Sequence, residues 1–354
     1  MKKIVLMGYY GRGNFGDDLM LYNITKHLNE DYKLHVLTSN VNKTYVFGEN
    51  VMLHQTFQRA KLKNLALLIN AFFKKDYLIW GGGTCFSDQD GVVSPMILLL
   101  ARLFGLKIVF MGVGANPIKR KKNVFKMGLI SRLVDRIYVR DSKSQRILES
   151  FFKSSIVEKS EDIAYLYEFH KSEKEVNRLV ISLRNLDNYL EINKIDELVT
   201  NIANFVDYLK SRICVEELIV LNLDDKLDTK INLILYNQLK HSMGNMIQMS
   251  FVENSNIEDK IEIIQNSRLN ILFRLHGIFV SVLSDVDTIG IGYSPKVKSF
   301  MDSVKAEGYI DMLDVIKDPH LLEYTFDRVL ISNKLNVRDK VVKALKNFEF
   351  LEGQ

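Results

Sequence analysis

The stretch from Leu269 to Lys296 leaves the fewest choices to the fold. It opens with a short apolar run ending in Arg274 and His276, continues through a helix-length apolar run at 277–283, and closes with a second apolar run before Tyr293-Ser-Pro-Lys296. Pro295 stands where a first helical turn tolerates proline, so a further helix is predicted there. A strand, a helix and a strand this close together pack as a right-handed parallel unit with both strands buried. Their C-terminal ends are then neighbours, at the edge where open α/β sheets bind ligands. Arg274, His276 and Lys296 fall at that edge. A planar cation, a point cation and an imidazole suit a small polyanion. The alternative is an Arg274 paired with a nearby carboxylate and a His276 that is a satisfied loop residue.

The N-terminal half repeats the alternation. Residues 4–10 read as a strand buried on both faces, followed by Gly11-Arg-Gly-Asn-Phe-Gly16 and a helix over about 17–28. The glycine spacing matches a dinucleotide-binding loop. However, Asp17 and Asp18 occupy the helix's first turn, where a pyrophosphate would rest, and two carboxylates would repel it. The next strand, 34–37, ends in Thr38-Ser39-Asn40 and lacks the carboxylate that holds a cofactor ribose. Asn14, Asp17 and Asp18 suit hydroxyl groups better; the alternative is that both aspartates only cap the helix.

A strand at 76–80 stops at Gly81-Gly82-Gly83, which predicts close approach of a ligand to the backbone and exposed N–H groups. A strand at 107–112 follows. Another over 135–139 ends at Arg140, before a helix starting at Ser142; the plain alternative for Arg140 is a contact with Asp141. The run 59–75, basic at both ends and apolar within, predicts a core-facing helix, with a membrane-surface helix as the alternative. Lys119-Arg-Lys-Lys122 with Lys126 is a charge cluster of the kind that forms a solvated face or meets lipid phosphates.

The chain's 354 residues exceed what one core usually serves, and an apolar content of 47% supplies material for two. The polar stretch 170–178 separates two apolar regimes. Strands at 179–184, 218–223 and 247–251, a helix at 257–265, and the strands beginning at Leu269 and Asp287 make up the second regime. The expected fold is α/β: two doubly wound Rossmann-like domains facing a cleft, over 1–170 and 178–330, with a C-terminal helix and tail over 331–354. A net charge of +5 favours anionic ligands mildly and is too small to argue for nucleic acid. Cys85 and Cys214 lie far apart without metal-ligand spacing, so neither a disulfide framework nor a zinc site is predicted, and a reducing cytoplasm fits. The apolar start is too short for a signal peptide, and the apolar region 96–114 is interrupted by Arg102 and Lys107, which argues against a membrane span.

Phe273-Arg-Leu-His276, a helix, and then Ile289-Gly-Ile-Gly-Tyr-Ser-Pro-Lys296 resemble the C-terminal signature of the polysaccharide pyruvyltransferases. Gly8-Tyr-Tyr-Gly-Arg-Gly-Asn-Phe-Gly-Asp-Asp18 is similar to their N-terminal signature. Gly81-Gly-Gly-Thr84 and the Arg140-Asp141 pair followed by Ser142 match further motifs, so the resemblance spans roughly residues 4–300. The chain departs from typical members in Arg12 and in Asp18, where a Glu is common; both positions bear on acceptor identity.

The resemblance implies a glycosyltransferase-B-like architecture and transfer of the pyruvyl unit of phosphoenolpyruvate onto two hydroxyls of a sugar. The product is a pyruvate ketal in bacterial surface polysaccharide synthesis. It further implies phosphoenolpyruvate contacts by Arg140, Arg274, Leu275, His276 and Lys296; because C2 becomes electrophilic only as C3 is protonated, His276 is the candidate acid near C3. Acceptor contacts would come from Asn14, Asp17, Asp18, Gly82 and Gly83. No cofactor or metal is expected beyond the donor substrate. The implied acceptor is lipid-linked, and the run 59–75 and the cluster 119–126 leave peripheral contact with the inner membrane surface as an expectation. The alternative function is a nucleotide-sugar glycosyltransferase of the same architecture.

Overall fold

The computed structural model describes residues 2–28, 30–56, 61–89, 91–169, 176–244, 247–330 and 338–352. The predicted boundary stretch 170–178 falls mostly outside them, as do the start of the run 59–75 and the start of the last helix near Val337. The chain divides into two compact units. One comprises Met1–Arg12, Asp17–Glu168 and Arg338–Gln354, the other Gly13–Gly16 and Phe169–Val337.

The first unit is built on strands β1 (Lys2–Met7), β2 (Tyr32–Thr38), β3 (Val51–Gln55), β4 (Tyr77–Gly81), β5 (Thr84–Ser87), β6 (Gly91–Val92), β7 (Lys107–Ala115), β8 (Arg136–Val139) and β9 (Val157–Lys159). They form one sheet in the order β3-β2-β1-β4-β7, with β8 and then β9 beyond β7. Every pairing in it is parallel except that of the short β6 with β5. Ile4, Val5 and Leu6 on β1 are fully buried, because helices cover both faces of a parallel sheet. Strand order reverses between β1 and β4, so the loops after Met7 and Gly81 flank that reversal.

The C-terminal segment belongs to this unit rather than standing apart. The Asn347 amide accepts the Gly112 N–H at 2.6 Å and donates to the Glu161 carbonyl at 3.1 Å, while Lys340 pairs with Glu161 at 3.0 Å.

The second unit is a six-stranded, all-parallel sheet of β10 (Arg178–Ser182), β11 (Glu217–Leu221), β12 (Gln248–Val252), β13 (Leu269–Leu272), β14 (Asp287–Gly292) and β15 (Tyr309–Asp311). Its order is β12-β11-β10-β13-β14-β15, which is the doubly wound 3-2-1-4-5-6 order with its reversal between β10 and β13. The strand–helix–strand unit read from the sequence is present: Leu269 lies opposite Asp287 and Ile271 opposite Ile289 across β13 and β14.

A helix over Ile192–Arg212, which the sequence reading did not name, covers one face with Ile195, Leu198, Val199, Ile202, Val206 and Leu209. Their spacing of three and four makes a single apolar stripe. Each such side chain contributes about 1.5–3 kcal/mol on full burial.

Candidate functional site

Each sheet places one set of chemically active side chains at its reversal point. In the second unit β13 stops at Leu272, and Arg274, in extended conformation, is the N-cap of the helix Leu275–Leu283. His276 therefore lies in that helix's first turn rather than on the strand, as the sequence reading had it. Leu275 is the turn's first residue. A side chain at Gly16 would run into the His276 ring, so the loop Gly13–Gly16, which groups with this unit, comes close against the imidazole. Glycine at position 16 is what allows that approach. Asn14 closes a tight turn by accepting the Gly16 N–H at 3.0 Å, and forms an isolated bridge with Asp224. The Phe15 N–H donates to the Leu223 carbonyl at 2.9 Å, which holds the loop in place.

Arg274 is held by two carboxylates. Its Nε donates to Asp228 Oδ2 at 2.7 Å, and its Nη2 donates to Asp228 Oδ1 at 2.8 Å and to Asp224 Oδ2 at 2.9 Å. The guanidinium is 14% exposed and Asp228 not at all. Burial works against the cation, but the bonds and charge of Asp228, and then the charge of Asp224, hold Arg274 protonated well above its ordinary range. Burial pushes the Asp224 carboxyl up; the Asp228 charge adds to this and Arg274 opposes it.

Asp228 Oδ1 also accepts the Asn185 N–H at 2.8 Å. One buried carboxylate thus locks together the loops that leave β10 and β13 on either side of the reversal. The carboxylate-paired alternative describes the Nε and Nη2 edges of Arg274. Among the described residues no hydrogen bond reaches its Nη1.

The reversal point carries a second cation that the sequence reading passed over. Arg184, just beyond β10, lies with its guanidinium carbon 3.8 Å from the centre of the Tyr293 ring and 5.3 Å from that of Tyr189. The two rings meet edge to face at 5.4 Å. Its one hydrogen bond among the described residues is from Nε to the Asn185 carbonyl at 3.3 Å, and no described carboxylate pairs with it. The signal for it was available: like Arg274 and Arg140, it is an arginine directly after an apolar strand. Lys296 lies exposed in the first turn of the helix Pro295–Val304. That helix's N-cap, Ser294, makes no capping bond, and its buried hydroxyl finds no partner among the described residues.

In the first unit the reversal point gathers Asp17, Gly82, Gly83, Thr84 and Arg140. Gly82 and Gly83 have φ of 72° and 76°, a region that favours glycine. A Cβ on Gly83 would lie 3.4 Å from Asp17 Oδ1. The Gly82 N–H is not offered to a ligand, because it donates to the Met111 carbonyl at 2.7 Å; this corrects the expectation of an exposed N–H at that one position.

Arg140 donates to Asp162 at 3.0 Å and to the Thr84 hydroxyl at 3.2 Å. Burial alone would lower it, but Asp162 and Asp141 raise it above its ordinary range. Asp141 does not bind it through a hydrogen bond, and instead caps the helix Ser142–Glu149 by accepting the Ser144 N–H at 2.7 Å. Asp18 is buried in the first turn of the helix Phe15–Leu28, while Asp17 is half-buried. Among the described residues no group of three or more His, Cys, Asp or Glu converges in a way that could hold a metal ion. No helix among them is long and apolar enough to cross a membrane.

The fold is that of several solved UDP-sugar enzymes. The UDP-GlcNAc 2-epimerase of Methanocaldococcus jannaschii aligns with a TM-score of 0.65 at 11% identity over 100% of both chains. The S. aureus MnaA–UDP co-structure aligns at 0.63 and 12% over 99% of this chain and 95% of that one. The Neisseria meningitidis UDP-GlcNAc 2-epimerase bound to UDP-GlcNAc aligns at 0.61 and 11% over 100% of both. At such identity these likenesses establish the glycosyltransferase-B-like fold and nothing finer. No curated protein matches the chain. The sequence model of one family, polysaccharide pyruvyl transferase, matches residues 14–295 and so takes in the Asn14 loop, the triple glycine, Arg140, Arg184, Arg274 and His276. With that match running through both units, the chain belongs to the polysaccharide pyruvyl transferase family.

Proposed function

We propose that the protein transfers the pyruvyl unit of phosphoenolpyruvate onto two hydroxyls of a sugar acceptor, forming a ketal and releasing phosphate. The observation that carries the reading is the composition of the second unit's reversal point. Arg184 is a permanent cation backed by Tyr293 and without a carboxylate partner among the described residues, while His276 leaves the adjacent strand at the same sheet edge. A planar guanidinium offers paired donors to a carboxylate or phosphate. The Nη1 edge of Arg274, Lys296 and the uncapped helix at Ser294 add positive potential of the kind that binds anions.

The enol carbon C2 becomes electrophilic only as C3 gains a proton. His276 is the proposed donor of that proton, since a protonated histidine side chain can act as a general acid. A first sugar hydroxyl then bonds to C2. The C2–O bond to phosphate breaks, phosphate departs toward the cations, and the second hydroxyl closes the ketal. Of the two hydroxyl protons, one is balanced by the proton delivered to C3 and the other leaves with phosphate. Asp17 beside Gly83 supplies acceptor chemistry in the first unit, since a carboxylate accepts from sugar hydroxyls.

The test is phosphate release from phosphoenolpyruvate against a panel of lipid-linked and nitrophenyl glycosides. Release that depends on one glycoside, with a KM for phosphoenolpyruvate raised at least tenfold in Arg184→Ala, is the expected result. Binding of a UDP-sugar with indifference to phosphoenolpyruvate would overturn it.

A further inference from the structure

We infer that the helical face of the first unit formed by Lys61–Phe72, Pro95–Leu103 and Lys121–Ile130 is a docking surface for an anionic lipid bilayer. The middle helix packs against each of the other two. All three send one face into a single core, through Ala71 and Phe72, Leu98 and Ala101, and Met127 and Ile130.

The opposite faces are apolar as well. Leu65, Ile69 and Phe73 stand four residues apart on the first helix and its end, and are exposed. Met96, Leu99 and Leu103 make a stripe on the second, with Met96 at 70% and Leu103 at 76% exposure. Phe125, at 68%, and Leu129 continue it on the third. Scattered exposed apolar residues need no explanation, but aligned stripes on three adjacent helices form a patch of the kind that marks an interaction site.

The charge carried by these stretches of chain is of one sign, while Asp88, at the start of the third helix, and Asp135, which pairs with Arg102 at 2.7 Å, lie outside them. Residues 51–75 and 91–134 contain no Asp or Glu at all, against five and eight Lys or Arg respectively. Four of these cations, Lys119 to Lys122, enter the third helix on a turn that Asp88 fixes. Its carboxylate accepts the Lys119 and Arg120 N–H groups at 2.7 and 3.0 Å and the Asn123 amide at 2.7 Å. Asp88 is occupied by backbone and amide donors, with the Arg120 charge also acting on it, and among the described residues no salt bridge holds any of the four side chains. Apolar tips next to the Lys119–Lys122 cluster match the layered chemistry of a bilayer surface, with acyl boundary beneath and anionic headgroups around. A second copy of the chain is the weaker occupant. Two-fold pairing of this face would set its cations against themselves with no carboxylate in either stretch to meet them.

The experiment is vesicle flotation of the full chain with phosphatidylcholine alone and with phosphatidylcholine containing phosphatidylglycerol, at low and high salt. Wild type is expected to float with the anionic vesicles at low salt and to be released from them by salt. Lys121→Gln with Lys122→Gln should lower partition roughly fivefold for each lysine lost. Leu103→Ser with Phe125→Ser, both exposed and so neutral to folding by circular dichroism, should leave only weak, fully salt-labile association. Failure of the wild type to float with the anionic vesicles overturns the inference, as does flotation of both variant pairs at the wild-type level. So does light scattering that finds a wild-type dimer dissolved by the Leu103/Phe125 pair, which would assign the face to a second copy. None of these readouts depends on the reaction proposed above.

Discussion

Asp228→Ala should loosen the second unit at its reversal point more than any other single change near the site. The carboxylate is wholly buried, and its two oxygens take three hydrogen bonds: Arg274 Nε, Arg274 Nη2 and the Asn185 N–H. Truncation leaves a guanidinium, 14% exposed, with Asp224 as its one counter-charge among the described residues, and leaves the Asn185 amide without an acceptor. Removing one partner of a buried ion pair costs roughly 3–5 kcal/mol. An orphaned N–H costs about 1–3 kcal/mol. The two overlap, so about 4 kcal/mol is expected, a large share of the 5–15 kcal/mol typical of a whole domain.

Native-state hydrogen exchange reads this locally. Amides of 217–223 and 269–283 should lose about three orders of magnitude of protection, while those of β1 and β4 keep theirs. Arg274→Met alone should cost as much, because it leaves Asp224 and Asp228 buried together. The double variant Arg274→Met with Asp228→Leu should recover most of the loss, since apolar replacement of a buried pair is often neutral. If Asp228→Ala changes protection less than tenfold, or the double variant is as unprotected as the two singles combined, Asp228 is not the lock described here.

His276→Gln should lower kcat by about 10²–10⁴-fold with little change in the KM for phosphoenolpyruvate. In deuterated water the wild type should place deuterium in the new methyl group, and a variant that turns over and labels normally would remove His276 as the acid. Asp17→Asn should reduce turnover at normal donor affinity, read as a raised acceptor KM; unchanged acceptor kinetics would leave Asp17 a helix-dipole partner only.

His35 on β2 and His54 on β3 lie 2.9 Å apart, nitrogen to nitrogen. Burial, with Lys75 and then His54 beside it, pulls His35 down to about 4, and burial with Lys75 lowers His54 as well. Their folded pKa values lie below the unfolded value of 6.5, so the unfolded chain binds more protons. Stability should therefore fall as pH drops from 6.5 toward 4. Thermal melts across that range should show a Tm decline that His35→Gln reduces; identical declines would dissociate it from this pair.

Much of the architecture was written locally. Apolar runs bounded by glycine, proline and helix-capping residues located most of the parallel strands. The helix Ile257–Gln265 and the proline-led helix after Tyr293 lie where the sequence put them. Short or half-exposed edge strands such as β3 and β15 carry too little periodic signal to be read this way. The arginines after β8 and β13 were legible, and the missed Arg184 after β10 carried the same signal, because a strand's end and a cation's charge are both properties of a few consecutive residues.

Which of those cations is neutralised was not legible. Arg274 and Asp228 are separated by 46 residues, and Arg140 and Asp162 by 22. Only the ordering of strands in a sheet brings such partners within 3 Å, while leaving Arg184 stacked on Tyr293 instead. Sequence determined where charges lie along the chain. Tertiary structure decided which remain available to a ligand, because ion pairing depends on distance through space and not on distance along the backbone.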